Sequence, residues 1–177
     1  MPLYLLDALE AIRNFFNSGG PVLYLIAALA FVMWVLMLER AWYYLVGYRR
    51  DAKAVIDTWE ARDDHKSWYA HAIRRKLISE THLKIDQNLA LIKTLIALCP
   101  LFGLLGTVTG MIEVFTVLSI TGGGDAKSMA GGVSRATVPT MAGMVAALSG
   151  VFANIYIAQK ASRERELIEE HLDVHKL

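Results

Sequence analysis

Residues 94–124 read TLIALCPLFGLLGTVTGMIEVFTVLSITGGG, and Glu113 is the one charged residue in that stretch. An uncharged apolar run of about 18 or more residues suffices to cross a hydrocarbon core of about 30 Å. A soluble helix keeps a polar face along its whole length, and this run has none. Two other stretches share the property: Pro21–Leu38 carries no charge, and Ser128–Gln159 carries only Arg135. The sequence therefore predicts an all-α integral membrane protein with three transmembrane helices, at 21–45, 93–119 and 130–158. The competing reading is a soluble bundle with three buried helices.

Composition agrees with a membrane protein. The 177 residues are 55% hydrophobic and 20% charged, with a mean hydropathy of +0.38. Water-soluble domains sit nearer 45–50% apolar. Disorder needs low hydrophobicity and high net charge, and a disulfide scaffold needs more than the single Cys99. With 18 Lys+Arg against 17 Asp+Glu, the net charge of +1 gives no concentrated basic surface for nucleic acid.

The distribution of Lys and Arg predicts orientation. The first twenty residues carry Arg13 alone, whereas Glu39–Lys93 carries eleven basic residues; the loop between the second and third spans has Lys127, and the tail has Lys160, Arg163, Arg165 and Lys176. One arrangement keeps the basic-rich segments on one side: N-terminus outside, a cytoplasmic region at 47–92, an outer loop at 120–129 and a cytoplasmic tail at 159–177. Trp34, Trp42, Tyr43, Tyr44 and Tyr48 cluster near the inner end of the first span, where amphipathic rings sit at headgroup level.

The N-terminal segment has no basic n-region, which argues against a signal peptide. Leu5, Leu6, Leu9, Ile12, Phe15 and Phe16 recur at helical spacing, predicting an amphipathic helix over 1–18 that lies on the outer membrane surface. Asn17-Ser18-Gly19-Gly20-Pro21 then breaks the chain and restarts it, with Pro21 suited to a first helical turn. In the middle region, Val55, Ile56 and Trp59, then Ile73, Leu77 and Ile78, predict two amphipathic helices separated by Asp63-Asp64-His65-Lys66. Leu83–Leu91 is expected to run straight into the second span. The tail, with Arg163, Glu164, Arg165, Glu166, Glu169 and Glu170, is expected to extend the third span as a solvated helix.

Small and polar residues form a stripe on the third span. Ala136, Thr140, Gly143, Ala147, Gly150 and Asn154 follow at alternating steps of four and three, which puts all six on one helix face. The second span has a matching cluster, Gly103, Gly106, Thr107 and Gly110. In lipid such residues mark the close approach of another helix or a narrow pore. A lone copy leaves this stripe bare, so a closed cyclic oligomer is expected, with the stripe toward its axis. Pro100 and Pro139 each remove a backbone hydrogen bond and kink these helices. Thr140 follows Pro139 directly; its hydroxyl can satisfy a carbonyl freed by the kink or face a wet lumen.

Leu101-Phe102-Gly103-Leu104-Leu105-Gly106-Thr107-Val108-Thr109-Gly110-Met111-Ile112 resembles the second-span motif of the ExbB/TolQ/MotA family. Gly131–Ala147, GGVSRATVPTMAGMVAA, is similar to that family's third-span motif. Chain length, three spans and an outer amphipathic helix make the resemblance nearly chain-wide, and more like ExbB or TolQ than the flagellar stator. The resemblance implies a pentamer in the inner membrane of Gram-negative bacteria, with the N-terminus periplasmic. It implies an ExbD-like single-span partner that carries the proton-bearing carboxylate, and a TonB-like protein powered by proton flow. It implies that Thr107 and Thr140 line the proton pathway. A TolQ-type role in outer-membrane integrity is the neighbouring alternative, and a non-conducting scaffold is the alternative from another class. Hydroxyls without a dense oxygen cage favour H⁺ over Na⁺.

Position 135, a glutamate in many ExbB proteins, is arginine here, and Glu113 stands where relatives often have an uncharged polar residue. Glu113 lies six residues outward of Thr107 and Arg135 five outward of Thr140, about 9 Å and about 7.5 Å at the helical rise. Charges inside a bilayer are usually paired, so a Glu113–Arg135 ion pair near the outer mouth is expected, with snorkelling of both to the headgroups as the alternative. His171 and His175 at i, i+4 lack an evident third metal ligand, and Cys99 reads as a packing residue. No nucleophile–base set, phosphate loop or zinc motif appears. Neither an enzyme nor a cofactor is expected.

Overall fold

The computed structural model describes residues 2–62, 64, 67–122 and 126–172, and every regular element among them is helical. Helix α1 spans Pro2–Trp42 and passes through one π-helical turn, Tyr43–Gly47, into α2, Tyr48–Glu60. Helix α3 spans Trp68–Asp86, α4 spans Leu89–Thr121 and α5 spans Ala126–His171. Three helical stretches are long and apolar enough to cross a membrane. The chain is a membrane protein by that measure, with large apolar side chains such as Leu101, Leu104, Val108, Val145, Leu148 and Phe152 exposed along α4 and α5.

The bends have local causes. Gly20 interrupts α1 with φ 65° and ψ −168°. The following Pro21 disfavours helical geometry at the residue before it, and glycine is the residue that reaches positive φ without steric cost. Pro21 then opens the next helical piece, where its missing N–H has no partner to lose. Helix α3 is capped by Ser67, whose hydroxyl accepts from the Ala70 amide at 3.1 Å, while the Ser67 amide donates to Asp64 at 3.0 Å. Asp63, His65 and Lys66 of the expected separator lie outside the described residues, as do Gly123, Gly124 and Asp125 of the outer loop, and His175.

The unbroken helix expected from Leu83 into the second span is corrected. Gln87 leaves α3 with ψ 134° and Asn88 adopts φ 63°, so α3 ends and α4 starts afresh. Asparagine tolerates the left-handed region better than other side chains. The carbonyl of Asn88 already accepts from the Ile92 amide at 3.0 Å.

The chain divides into two compact units, Met1–Met33 with Thr94–Val151, and Trp34–Lys93 with Phe152–Leu177. The first unit is centred on Leu23, Ile26, Met33, Ile96, Cys99 and Pro139, all buried. The second gathers Trp59 and Ala70 with Ile168 and Leu172, and Val55, Leu77 and Ile78 pack against that cluster. The two amphipathic middle helices thus bury their apolar faces on the tail portion of α5. The tail was expected to be solvated; its Ile168–Leu172 side is instead core.

Candidate functional site

Within the first unit, α4 and α5 approach closely because three glycines of α4 face α5. A β-carbon at Gly106 would lie 2.3 Å from Pro139 Cβ, and one at Gly110 would lie 2.8 Å from Ala136 Cβ. One at Gly103 would lie 2.9 Å from Thr140 Cα. Real β-carbons do not approach that closely, so these positions admit no side chain while the backbones stay put. Pro139, which cannot donate a backbone hydrogen bond, is buried in the slot left by Gly106.

The stripe on α5 is packed by the chain itself. Gly143 sits against the Cys99 carbonyl, where a β-carbon would come within 2.5 Å, and Gly150 sits against Met33 and Ile96. Ala136 and Ala147 are 4% and 8% exposed. The expectation that a lone copy leaves the stripe bare is therefore corrected: small residues here let three helices of one chain meet. Asn154, belonging to the second unit, is half-buried, and its side-chain carbonyl has no hydrogen-bond donor among the described residues.

The two threonines occupy different settings. Thr140 Oγ1 donates across the helix pair to the Gly103 carbonyl at 2.8 Å. Thr107, one turn on from Gly103, donates within its own helix to the Leu104 carbonyl at 2.7 Å. Both side chains are half-buried. Each hydroxyl spends its proton on a backbone carbonyl and keeps lone pairs that can accept.

Glu113 and Arg135 are exposed and line one cleft of about 920 Å³, together with Asn17, Ser18 and Gly132. The direct ion pair expected from their matched depths is not formed: no N···O contact of 4.0 Å or less joins them among the described residues. They face the same space from neighbouring helices, Glu113 from α4 and Arg135 from α5.

The second unit holds polar residues that sequence reasoning missed. Arg40 is 3% exposed. Its guanidinium donates twice to Glu39, at 2.7 and 2.6 Å, and once to the Lys84 carbonyl at 3.1 Å. The Tyr43 ring lies 5.1 Å from its centre. Tyr44 donates to the Ile85 carbonyl and Tyr48 to the Glu164 carbonyl, both at 2.8 Å. Burial pushes the Tyr48 hydroxyl above the ordinary tyrosine range, and the Glu164 carboxylate adds to the effect. Arg165 pairs with Asp86, and Arg74 donates to the Leu172 carbonyl at 2.5 Å. The aromatic cluster thus divides: Trp34 and Trp42 are exposed, whereas Tyr44 and Tyr48 are buried clasps. The sequence signal was present in Glu39-Arg40, two charges at the edge of an uncharged run.

Residues 47–170 match the MotA/TolQ/ExbB proton channel family. The chain is 32% identical over 180 residues to biopolymer transport protein ExbB-like 1 of Synechocystis sp., covering 83% of this chain and 70% of that relative. It is 31% identical over 84 residues to the biopolymer transport protein ExbB of Helicobacter pylori, covering 48% of this chain and 58% of the relative. The ExbB of Xanthomonas campestris pv. campestris is 30% identical over 88 residues, covering 50% of this chain but 35% of that protein.

Proposed function

Because this chain belongs to the MotA/TolQ/ExbB proton channel family, we propose that it is an ExbB-like subunit of a proton-driven motor. In this reading it lies in the inner membrane of a Gram-negative bacterium, with its N-terminus periplasmic and its C-terminus cytoplasmic. The excess of Lys and Arg in 39–93 and in the tail supports that orientation. Several copies, five by family resemblance, surround the span of an ExbD-type partner, and proton flow through the assembly energises a TonB-like protein for import across the outer membrane. The relatives' description as biopolymer transport proteins supports an energising role in transport.

The observation that carries the proposal is the family match across 47–170, which takes in both α4 and α5. Thr107 and Thr140 are the proposed proton-pathway residues. Thr140 is held in a fixed rotamer by its bond to Gly103, and its lone pairs can accept from a water or a protonated carboxyl.

That same bond favours a second reading, a non-conducting scaffold in which Thr140 only joins α4 to α5. Proteoliposomes separate the two. The chain is reconstituted with its single-span partner, and proton flux is followed with a pH-sensitive dye under an imposed potential. Partner-dependent flux is expected. Flux equal to that of empty vesicles, with the complex intact, would refute the motor reading.

A further inference from the structure

In an unbroken helix the carbonyls of Lys84 and Ile85 would accept from the amides of Asn88 and Leu89, four residues on. The turn between α3 and α4 denies them those partners. Gln87 has φ −51° and ψ 134° and Asn88 has φ 63°, as in a type II turn. These same two carbonyls are the ones that the first helix takes up. Arg40 donates to the Lys84 carbonyl at 3.1 Å, and the Tyr44 hydroxyl donates to the Ile85 carbonyl at 2.8 Å. Arg40, Tyr44 and Ile85 are buried. The Asn88 side-chain amide hydrogen-bonds to Glu39, whose carboxylate also accepts from Arg40. All of these residues belong to the second unit. Breaking the helix thus trades two backbone donors for two side-chain donors, an exchange that is nearly balanced in free energy. Against the break stands the left-handed Asn88, a conformation that asparagine tolerates at a cost. The gripping helix is irregular at the same place. Tyr44 lies in the π-helical turn Tyr43–Gly47, which closes its bonds one residue later than an α-helix, and such turns occur mostly at functional sites.

We propose that this joint is a two-position switch, in which the Lys84 and Ile85 carbonyls pass between the side chains of Arg40 and Tyr44 and the amides of Asn88 and Leu89. The structure holds the first position. In the second, Asn88 turns right-handed, the two amides take back the carbonyls, and α3 continues uninterrupted into the start of α4. Arg40 and Tyr44 are then released, and Arg40 keeps its pairing with Glu39. The Asn88 carbonyl accepts from the Ile92 amide at 3.0 Å. That bond has helical spacing and is kept in both positions, so the change is confined to the turn itself. The switch ties the grip of the first helix on α3 to the continuity of α3 with α4, and it stands independently of the motor reading.

Hydrogen exchange of the full chain in nanodiscs, resolved to single amides by mass spectrometry, tests this. The amide of residue 88 is open to exchange in the broken position and hydrogen-bonded in the continuous one. Tyr44→Phe combined with Asn88→Ala removes one side-chain donor, removes the tolerance for positive φ and adds helix propensity. Together these shift the balance by about a hundredfold. Protection at residue 88 should rise about tenfold over the unaltered chain, and Asn88→Ala alone should fall between. Tyr44→Phe combined with Asn88→Gly loses the same donor but keeps positive φ free of steric cost, so residue 88 should stay as open as in the unaltered chain. A static joint behaves differently: losing the Tyr44 donor leaves a buried carbonyl unpaired and the amide still open. No gain of protection in the Tyr44→Phe, Asn88→Ala chain would overturn the proposal. So would an equal gain in the Asn88→Gly combination, or an Asn88→Ala chain that unfolds.

Discussion

Replacing Gly143 by alanine tests the close packing of α4 on α5 at its tightest backbone contact. The new methyl would stand 2.5 Å from the Cys99 carbonyl oxygen and 3.3 Å from Gly103 Cα. Both neighbours are backbone, so no side chain can rotate away. Normal contact lies near 3.5 Å, so the helices must part by about 1 Å. Overpacking of this kind costs about 1–3 kcal/mol. The Thr140–Gly103 hydrogen bond, one turn away at 2.8 Å, would be stretched beyond its working range, losing about 1 kcal/mol. Alanine returns about 1 kcal/mol through helix propensity. The net expectation is a destabilisation of about 1–3 kcal/mol. Reversible unfolding in mixed micelles, followed by far-ultraviolet circular dichroism, measures it. Gly131→Ala is the internal control: nothing lies within 4 Å of its β-carbon, so it should be neutral or gain up to about 1 kcal/mol. Gly143→Ala as stable as the parent protein would refute the close approach of α4 and α5.

Thr140→Val keeps the shape and removes the hydroxyl; partner-dependent proton flux should fall while oligomer yield stays normal, and unchanged flux would leave Thr140 with only its bond to Gly103. Tyr48→Phe removes the donor to the Glu164 carbonyl and should cost about 1 kcal/mol in the same unfolding assay. Because the Tyr48 pKa is raised in the fold, its contribution is complete below pH 10 and declines as pH climbs toward the folded-state value. The loss of stability at alkaline pH should therefore be shallower in Tyr48→Phe than in the parent, and identical slopes would exclude this tyrosine. Arg40→Met leaves the Lys84 carbonyl without this donor and the Glu39 carboxylate without its bidentate partner; a loss of about 2–4 kcal/mol is expected, and a loss below about 0.5 kcal/mol, the scale of ordinary surface changes, would show the pair to be no more than a surface contact.

Much of the fold follows from where charge is missing. Three runs with at most one charge each give three spanning-capable helices, and Gly20-Pro21 names its own bend through backbone sterics alone. The break at Gln87–Asn88 was hidden because apolar residues continue at helical spacing on both sides, and a left-handed asparagine leaves no mark in periodicity. The small-residue stripe was legible as a close-approach surface, but spacing cannot say what approaches; the packing of Gly143 on Cys99 and Gly150 on Met33 answers that within one chain. Glu113 and Arg135 were placed at one depth by helical rise, and they do share a cleft. Their failure to touch depends on angle around each helix, which depth arithmetic omits. Arg40 escaped notice because charges at the end of a span, here Glu39 and Arg40, read as interfacial anchors unless the Lys84 carbonyl is known to fold back on the guanidinium.

Pro139 in the slot of Gly106 restricts how these helices can move. Sliding α5 along α4 would first have to lift the proline ring out of the slot at Gly106, where it is buried. Rotating α5 about its own axis would bring Met141 or Met144, bulky and exposed in the structure, against positions that accept no β-carbon. Neither a ratchet nor a roll is open to the pair without first pulling the helices apart. Force applied to one of them is passed to the other, so the two behave as a single stave, and relative displacement must occur at surfaces other than the seam between them.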